Sequence, residues 1–108
     1  MTDKIVVLVA CGSAEEGRKI AHALVESRLA ACVNVLDGVQ SVYRWKGAVE
    51  EASECLLLAK STRGHFERLQ SAIRALHSYE LPEIVALTVV DGLDAYLSWI
   101  AASVDSVE

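Results

Sequence analysis

The stretch LAACVNVLDGVQSVYRWKGAVEEASECLLLAKS, residues 29–61, decides the fold. Leu29 to Leu36 reads as a strand, and Asp37-Gly38 breaks or bends it. From Val39 to Lys46 the pattern alternates, with Tyr43 and Trp45 on one face and Val42, Arg44 and Lys46 on the other. Gly47 turns the chain. A further strand runs from about Val49 to Ser61, with Glu50, Glu51 and Glu54 at its start and the apolar run Cys55 to Ala59 after them. Such strands are long. At about 3.3 Å per residue, thirteen residues span roughly 40 Å. The hairpin therefore overhangs its sheet, and unpaired strand edges tend to find another chain.

The flanking segments complete the pattern. Lys4 to Cys11 is short, continuous and β-branched, which fits a strand buried on both faces. Ser13 with Glu16 three residues on forms a capping box, and a helix follows with Ile20 and Leu24 on its stripe. Gly17 weakens that helix by about 1 kcal/mol relative to Ala. A second helix covers about Arg63 to Leu76, with Phe66, Leu69, Ile73 and Leu76 on one face. Pro82 closes the stretch HSYELPEI and forces Leu81 into an extended form. Residues 84–90 form a fourth strand, Asp91 caps a last helix, and the polar tail after Ser103 frays. The order βαββαβ plus a C-terminal helix predicts an α+β, ferredoxin-like sandwich with an antiparallel sheet. All 108 residues fit one domain.

Composition bounds the function. Apolar residues make up 53% of the chain, more than a domain this small hides by itself. That is a second indication of an oligomer. The net charge is −5 and the basic residues are scattered, which argues against nucleic acid and against anionic membranes. The apolar run Ile5 to Ala10 is too short for a signal-peptide core or a membrane span, so a cytoplasmic location is expected. Cys11, Cys32 and Cys55 show no metal-knuckle spacing and read as buried small hydrophobes. Gly12 and Gly17 lack the spacing of a phosphate loop. Glu80 and Glu83 can be read as an acid/base pair or as solvated carboxylates, and no nucleophile with a base stands beside them. His22 and His65 read as helix-surface residues without a specific task.

LAACVNV at 29–35, SVYRWKGAVEEASECLLLAKS at 41–61, HSYELPEIVAL at 77–87 and YLSWI at 96–100 together resemble the CutA family of divalent-ion tolerance proteins. The likeness covers nearly the whole chain. It implies a ferredoxin-like, cytoplasmic homotrimer linked to tolerance of copper and other divalent metals, with copper binding and no established enzymatic reaction. The copper ligands described for some members, a cysteine and a histidine pair, fall on Val9, Leu76 and His77. Only His77 keeps the ligand type, and Ser78 replaces the usual proline. Cys11, two residues after Val9 on the same strand face, is the other candidate thiol, and a Cys–His pair suits Cu(I). As a helix C-terminal residue, His77 can equally bond the last carbonyls.

A second reading rests on the composition of the hairpin and of the Pro82 turn. Tyr43, Trp45, Lys60, Tyr79, Glu80 and Glu83 are expected to line a cleft between subunits, an aromatic wall with a few polar groups. A trimeric sensor resembling the PII proteins, holding a small metabolite there, is the alternative to the metal-binding trimer.

Overall fold

The computed structural model describes residues 1–105. Strand β1 is Lys4–Cys11, helix α1 Ala14–Glu26, β2 Cys32–Trp45, β3 Ala48–Thr62, α2 Phe66–Leu76, β4 Glu83–Thr88 and α3 Asp94–Ser103. A 3-10 turn, Arg63–His65, leads into α2. The sheet is antiparallel throughout, in the order β2-β3-β1-β4. This is the ferredoxin-like arrangement that the element order predicts.

Alternation along β1 separates the two faces of the sheet. Ile5, Val7, Val9 and Cys11 point to one side and are buried there with Leu57 and Ala59 of β3. Ile20 and Leu24 of α1 and Leu69 and Ile73 of α2 close this core and are fully buried. Val6, Leu8, Leu58 and Leu56 point to the other side, where Val85 and Leu87 of β4 stay about half exposed. Helix α3 covers part of that second face, with Ile100, Val104 and Leu97 packed on Ala31. Beyond the Cys11–Cys55 pair, β2 and β3 have no third strand beside them. The free ribbon gives the molecule its long axis, 43 Å against 25 and 22 Å. Its tip is a two-residue turn at Lys46 and Gly47, both at positive φ (49° and 83°), the type of turn whose twist matches the hairpin.

Several boundaries differ from the sequence expectation. The second strand begins at Cys32, not Leu29, because Leu29 and Ala30 bend back to donate to the Leu24 carbonyl that ends α1. Of the two outcomes expected at Asp37-Gly38, a break or a bend, the strand shows the bend. It forms a one-residue bulge, with Leu36 opposite Leu56 and Val39 opposite Glu54. Asp91 accepts a bond from the Gly92 N–H (2.9 Å) and does not cap α3. The capping position is Leu93, without a side-chain bond.

His65 is not a surface residue. It is 2% exposed, its Nδ1 hydrogen bonded to the Thr62 hydroxyl at 2.6 Å and its Nε2 to Asp105, at 2.7 Å from Oδ1. Arg68 adds two bonds to the same carboxylate, at 2.7 and 3.2 Å. The segment after Ser103 is thus fastened rather than frayed through Asp105, with Val104 buried. The rest of that tail, residues 106–108, lies outside the described residues.

Gly17 has a packing reason that overrides helix propensity. A Cβ there would lie 2.8 Å from Sγ of Cys55, where β3 passes under α1. Gly17→Ala should destabilise the fold by about 1–3 kcal/mol through overpacking, despite a gain of about 1 kcal/mol in helix propensity. Adding Cys55→Ala should recover part of the loss; denaturant titration of both variants checks this.

The Asp105 latch carries a pH dependence. The Arg68 bonds, aided by His65, hold the Asp105 carboxyl below its ordinary value. A depressed folded value means that the contribution is present above the unfolded carboxylate range. It disappears as the pH falls through the folded value. Asp105→Asn should therefore melt below the wild type at neutral pH, with the gap closing in acid; paired thermal melts across that range measure it.

Candidate functional site

The bulge determines what the ribbon presents. Before it, the even-numbered residues Asn34 and Leu36 share the face opposite α1 and α2, paired with Leu58 and Leu56. One extra residue reverses the parity. After it, Val39, Ser41, Tyr43 and Trp45 lie on that face, paired with Glu54, Ala52, Glu50 and Ala48. The two aromatic rings and two glutamates thus share the open side of the sheet. Arg44, which a regular strand would have placed there, lies on the reverse.

The loop from His77 to Pro82 folds over the end of β1 to complete a cleft of about 770 Å³. Tyr43, Trp45, Glu50, Glu54, Tyr79, Glu80 and Glu83 are among its lining residues. Glu83 pairs with Ala10 at the start of β4 and so belongs to the same face.

Side-chain bonds from Glu16, Tyr79 and His77 hold this loop. Ser13 accepts from the Glu16 N–H (3.1 Å), which is one half of the predicted capping box. The Glu16 side chain does not complete the box. It reaches to Ser78, accepting from its N–H at 2.6 Å and its hydroxyl at 3.0 Å. Tyr79 donates its hydroxyl proton to Glu54 Oε2 at 2.7 Å, joining the loop to β3. Its ring lies against Gly12, where a Cβ would stand 3.2 Å from the phenol oxygen. Partial burial, then the bond to Glu54, pushes the Tyr79 phenol above its usual range, so it stays a donor.

His77 is engaged at both nitrogens. Nδ1 accepts from the Tyr79 N–H (3.1 Å), which leaves Nε2 to donate to the Ala10 carbonyl at 2.7 Å. A metal would need a lone pair that the Tyr79 amide already uses. Cys11 is fully buried, and burial followed by the nearby Glu16 charge pushes its thiol up to about 12. It is therefore a thiol at neutral pH, whereas metal binding needs the thiolate. Val9, at the position the resemblance gives to a cysteine ligand, is a buried core residue. Among the described residues, no group of three or more His, Cys, Asp or Glu is arranged to hold a metal ion.

Of the six cleft residues expected from sequence, the structure brings together Tyr43, Trp45, Tyr79, Glu80 and Glu83 within one chain. It does not bring Lys60. That residue shares the open face but sits six positions beyond Glu54, roughly 20 Å along the strand, where its ammonium meets the Asn34 side-chain oxygen and lies 3.9 Å from Cys32 Sγ. Sequence reasoning missed Glu50, Glu54 and Glu16. The first two were legible as neighbours of the aromatics across a two-residue hairpin. Glu16 was masked by its capping-box spacing.

Comparison with known proteins agrees with this architecture. The family described as CutA1 divalent ion tolerance protein matches residues 5–103. The chain is 52% identical over 95 residues to the divalent-cation tolerance protein CutA of Thermus thermophilus, covering 88% of this chain and 92% of that one. A solved structure of the divalent cation tolerance protein from Thermus thermophilus superposes with a TM-score of 0.92 at 48% identity, over 94% of this chain and 99% of that one. CutA from Xylella fastidiosa gives 0.93 at 38% identity, over 96% of this chain and all of the other. The chain matches the chloroplastic CutA of Arabidopsis thaliana at 42% identity over 92% of its own length and 54% of that protein. The protein belongs to the CutA family of divalent-cation tolerance proteins.

If Glu16 is what holds the loop, Glu16→Ala should speed amide exchange at Ser78 by roughly tenfold or more, the equivalent of about 1.5 kcal/mol for a bond to a charged group. Ile73, whose carbonyl lies within α2, should be unaffected; hydrogen-exchange NMR reads both.

Proposed function

We propose that this protein is a non-enzymatic, cytoplasmic homotrimer that serves divalent-cation tolerance by binding a small molecule in the cleft between its ribbon and the 77–82 loop. The observation that carries the reading is the cleft itself, with its aromatic wall, its few polar groups and a volume in the range of small-molecule sites. Assembly is supported by the uncovered apolar side of the sheet, where Val85 and Leu87 stay 47% and 49% exposed, and by the unpaired ribbon edges. The count of three follows from the family resemblance. Free cysteines throughout, Cys11, Cys32 and Cys55, support a reducing compartment. Among the described residues, no helix is long and apolar enough to cross a membrane.

A second reading, copper held by His77 and Cys11, has one observation in its favour. The His77 ring is bonded to Ala10, the residue beside Cys11, so the two candidate ligands lie at the same end of β1. It requires His77 to release the Tyr79 amide and Cys11 to lose a strongly held proton. The first reading requires neither.

Sedimentation at micromolar concentration should give a particle about three times 11.7 kDa. A thermal-shift screen of small metabolites should find a stabilising ligand, worth about 2.7 kcal/mol at a hundredfold excess over Kd. A solitary monomer, or a flat response to the whole screen, would overturn the proposal. Copper calorimetry should give the same weak response for the wild type and His77→Ala; tight binding lost in that variant would favour the second reading.

A further inference from the structure

Cys11 and Cys55 stand directly opposite one another on the neighbouring strands β1 and β3. Opposed residues of antiparallel strands turn their side chains to the same face. Both are fully buried there, in the core beneath α1 and α2. Their own chain already covers them completely, so a second copy on the open face or along the ribbon does not change their surroundings.

The spacing is that of a disulfide. Opposed Cα atoms of antiparallel strands lie about 4.5 or 5.5 Å apart, according to their hydrogen bonding. A disulfide spans about 4.4–6.8 Å between Cα atoms. The two sulfurs are unlinked in this structure, where all three cysteines are free. A cysteine sulfur is repositioned by rotation about χ1 alone, so the strands need not move for the two to meet. Gly17, where a Cβ would lie 2.8 Å from the Cys55 Sγ, keeps α1 from pressing a side chain onto the pair. Packing asks for small residues at these positions. It does not ask for two thiols in register.

The place of the pair gives a bond between them a consequence. Cys11 ends β1, and beyond it β2 and β3 run on as a ribbon with no third strand. A cross-link there ties the root of the ribbon to the last residue of the strand that supports it.

We propose that Cys11 and Cys55 are a redox pair, closed by hydrogen peroxide into a cross-strand disulfide that fastens the root of the ribbon. One thiolate sulfur attacks a peroxide oxygen, the O–O bond breaks, and a sulfenic acid and hydroxide form. The sulfur of the second cysteine displaces the sulfenic oxygen, which leaves as water with the second thiol's proton. Two thiols are oxidised, and one peroxide is reduced to two waters. A thiol reductant reopens the bond. Burial raises both thiols above their usual range, so little thiolate is present and closure is slow. The pair answers sustained oxidant and stays open in a reducing compartment.

The test uses the assembled protein carrying Cys32→Ser, which removes the half-buried third thiol. After treatment with hydrogen peroxide the intact chain should lose the mass of two hydrogen atoms. Proteolytic mapping should link Cys11 to Cys55, and dithiothreitol should restore the original mass. The oxidised protein should melt above the reduced one, by on the order of 5–10 °C. Thiols that stay free under peroxide sufficient to oxidise the denaturant-unfolded chain would overturn the redox pair. Uptake of oxygen without a link, or a link between chains, would overturn it equally. A mapped Cys11–Cys55 link that leaves the melting temperature unchanged or lower would overturn the fastening of the ribbon.

Discussion

What the ribbon presents on the open face of this protein depends on one extra residue in β2. A regular antiparallel strand carries a fixed parity, so Leu36 on the open face would be followed there by Gly38, Gln40, Val42 and Arg44. The bulge between Leu36 and Val39 shifts the count by one. Gly38 adopts φ of 72°, and its N–H is bonded at 2.8 Å by the Asp37 carboxylate. The dipeptide is thus suited to the kink by both backbone freedom and side-chain chemistry. Its effect reaches along the ribbon. Tyr43 and Trp45 come to the side that carries Glu50, Glu54 and Glu83, and Arg44 is carried away from them.

The second organising element is the redirection of Glu16. Its spacing from Ser13 is that of a reciprocal helix cap, yet only the Ser13 half is made. The carboxylate binds the Ser78 N–H and hydroxyl instead. One acidic side chain therefore joins the start of α1 to the loop that follows α2. With the loop so placed, Tyr79 rests on Gly12 and bonds Glu54, and His77 turns inward to the Ala10 carbonyl. The same bonds that build the cleft wall occupy both nitrogens of the histidine. In this chain, loop architecture and metal ligation compete for one imidazole.

At the far end of the sheet, a different polar cluster does similar work. His65 is buried without strain because Thr62 and Asp105 satisfy its two nitrogens. A buried imidazole without partners would cost several kcal/mol. Here it links the end of β3 to the segment after α3, and Arg68 closes the carboxylate from outside. The helix that partly covers the open face is thereby tied at its C-terminal end. The remaining apolar surface, around Val85 and Leu87, continues from that helix toward the cleft.

Local pattern alone determined the element order, the antiparallel sheet, the two covering helices and the overhanging ribbon. Each of these follows from short-range periodicity, a cap or a turn, as at Ser13, Gly47 and Pro82. Four motifs in order sufficed for the family likeness. Five of the six residues expected in a cleft between subunits line a cleft within one chain, because aromatic alternation and a proline turn are both written into neighbouring positions. The rest needed the tertiary structure. A single-residue bulge at Asp37-Gly38 looks in sequence like a break or a bend, and only the pairing partner on β3 reveals that the faces of the strand are exchanged there. Lys60 lies on the correct face but at the wrong end, since face is a matter of parity and distance is a matter of register. Glu16, His65 and Asp105 took roles that spacing does not predict, because their partners stand 62 and 40 positions away. Such contacts exist only once the sheet and helices have brought distant segments together.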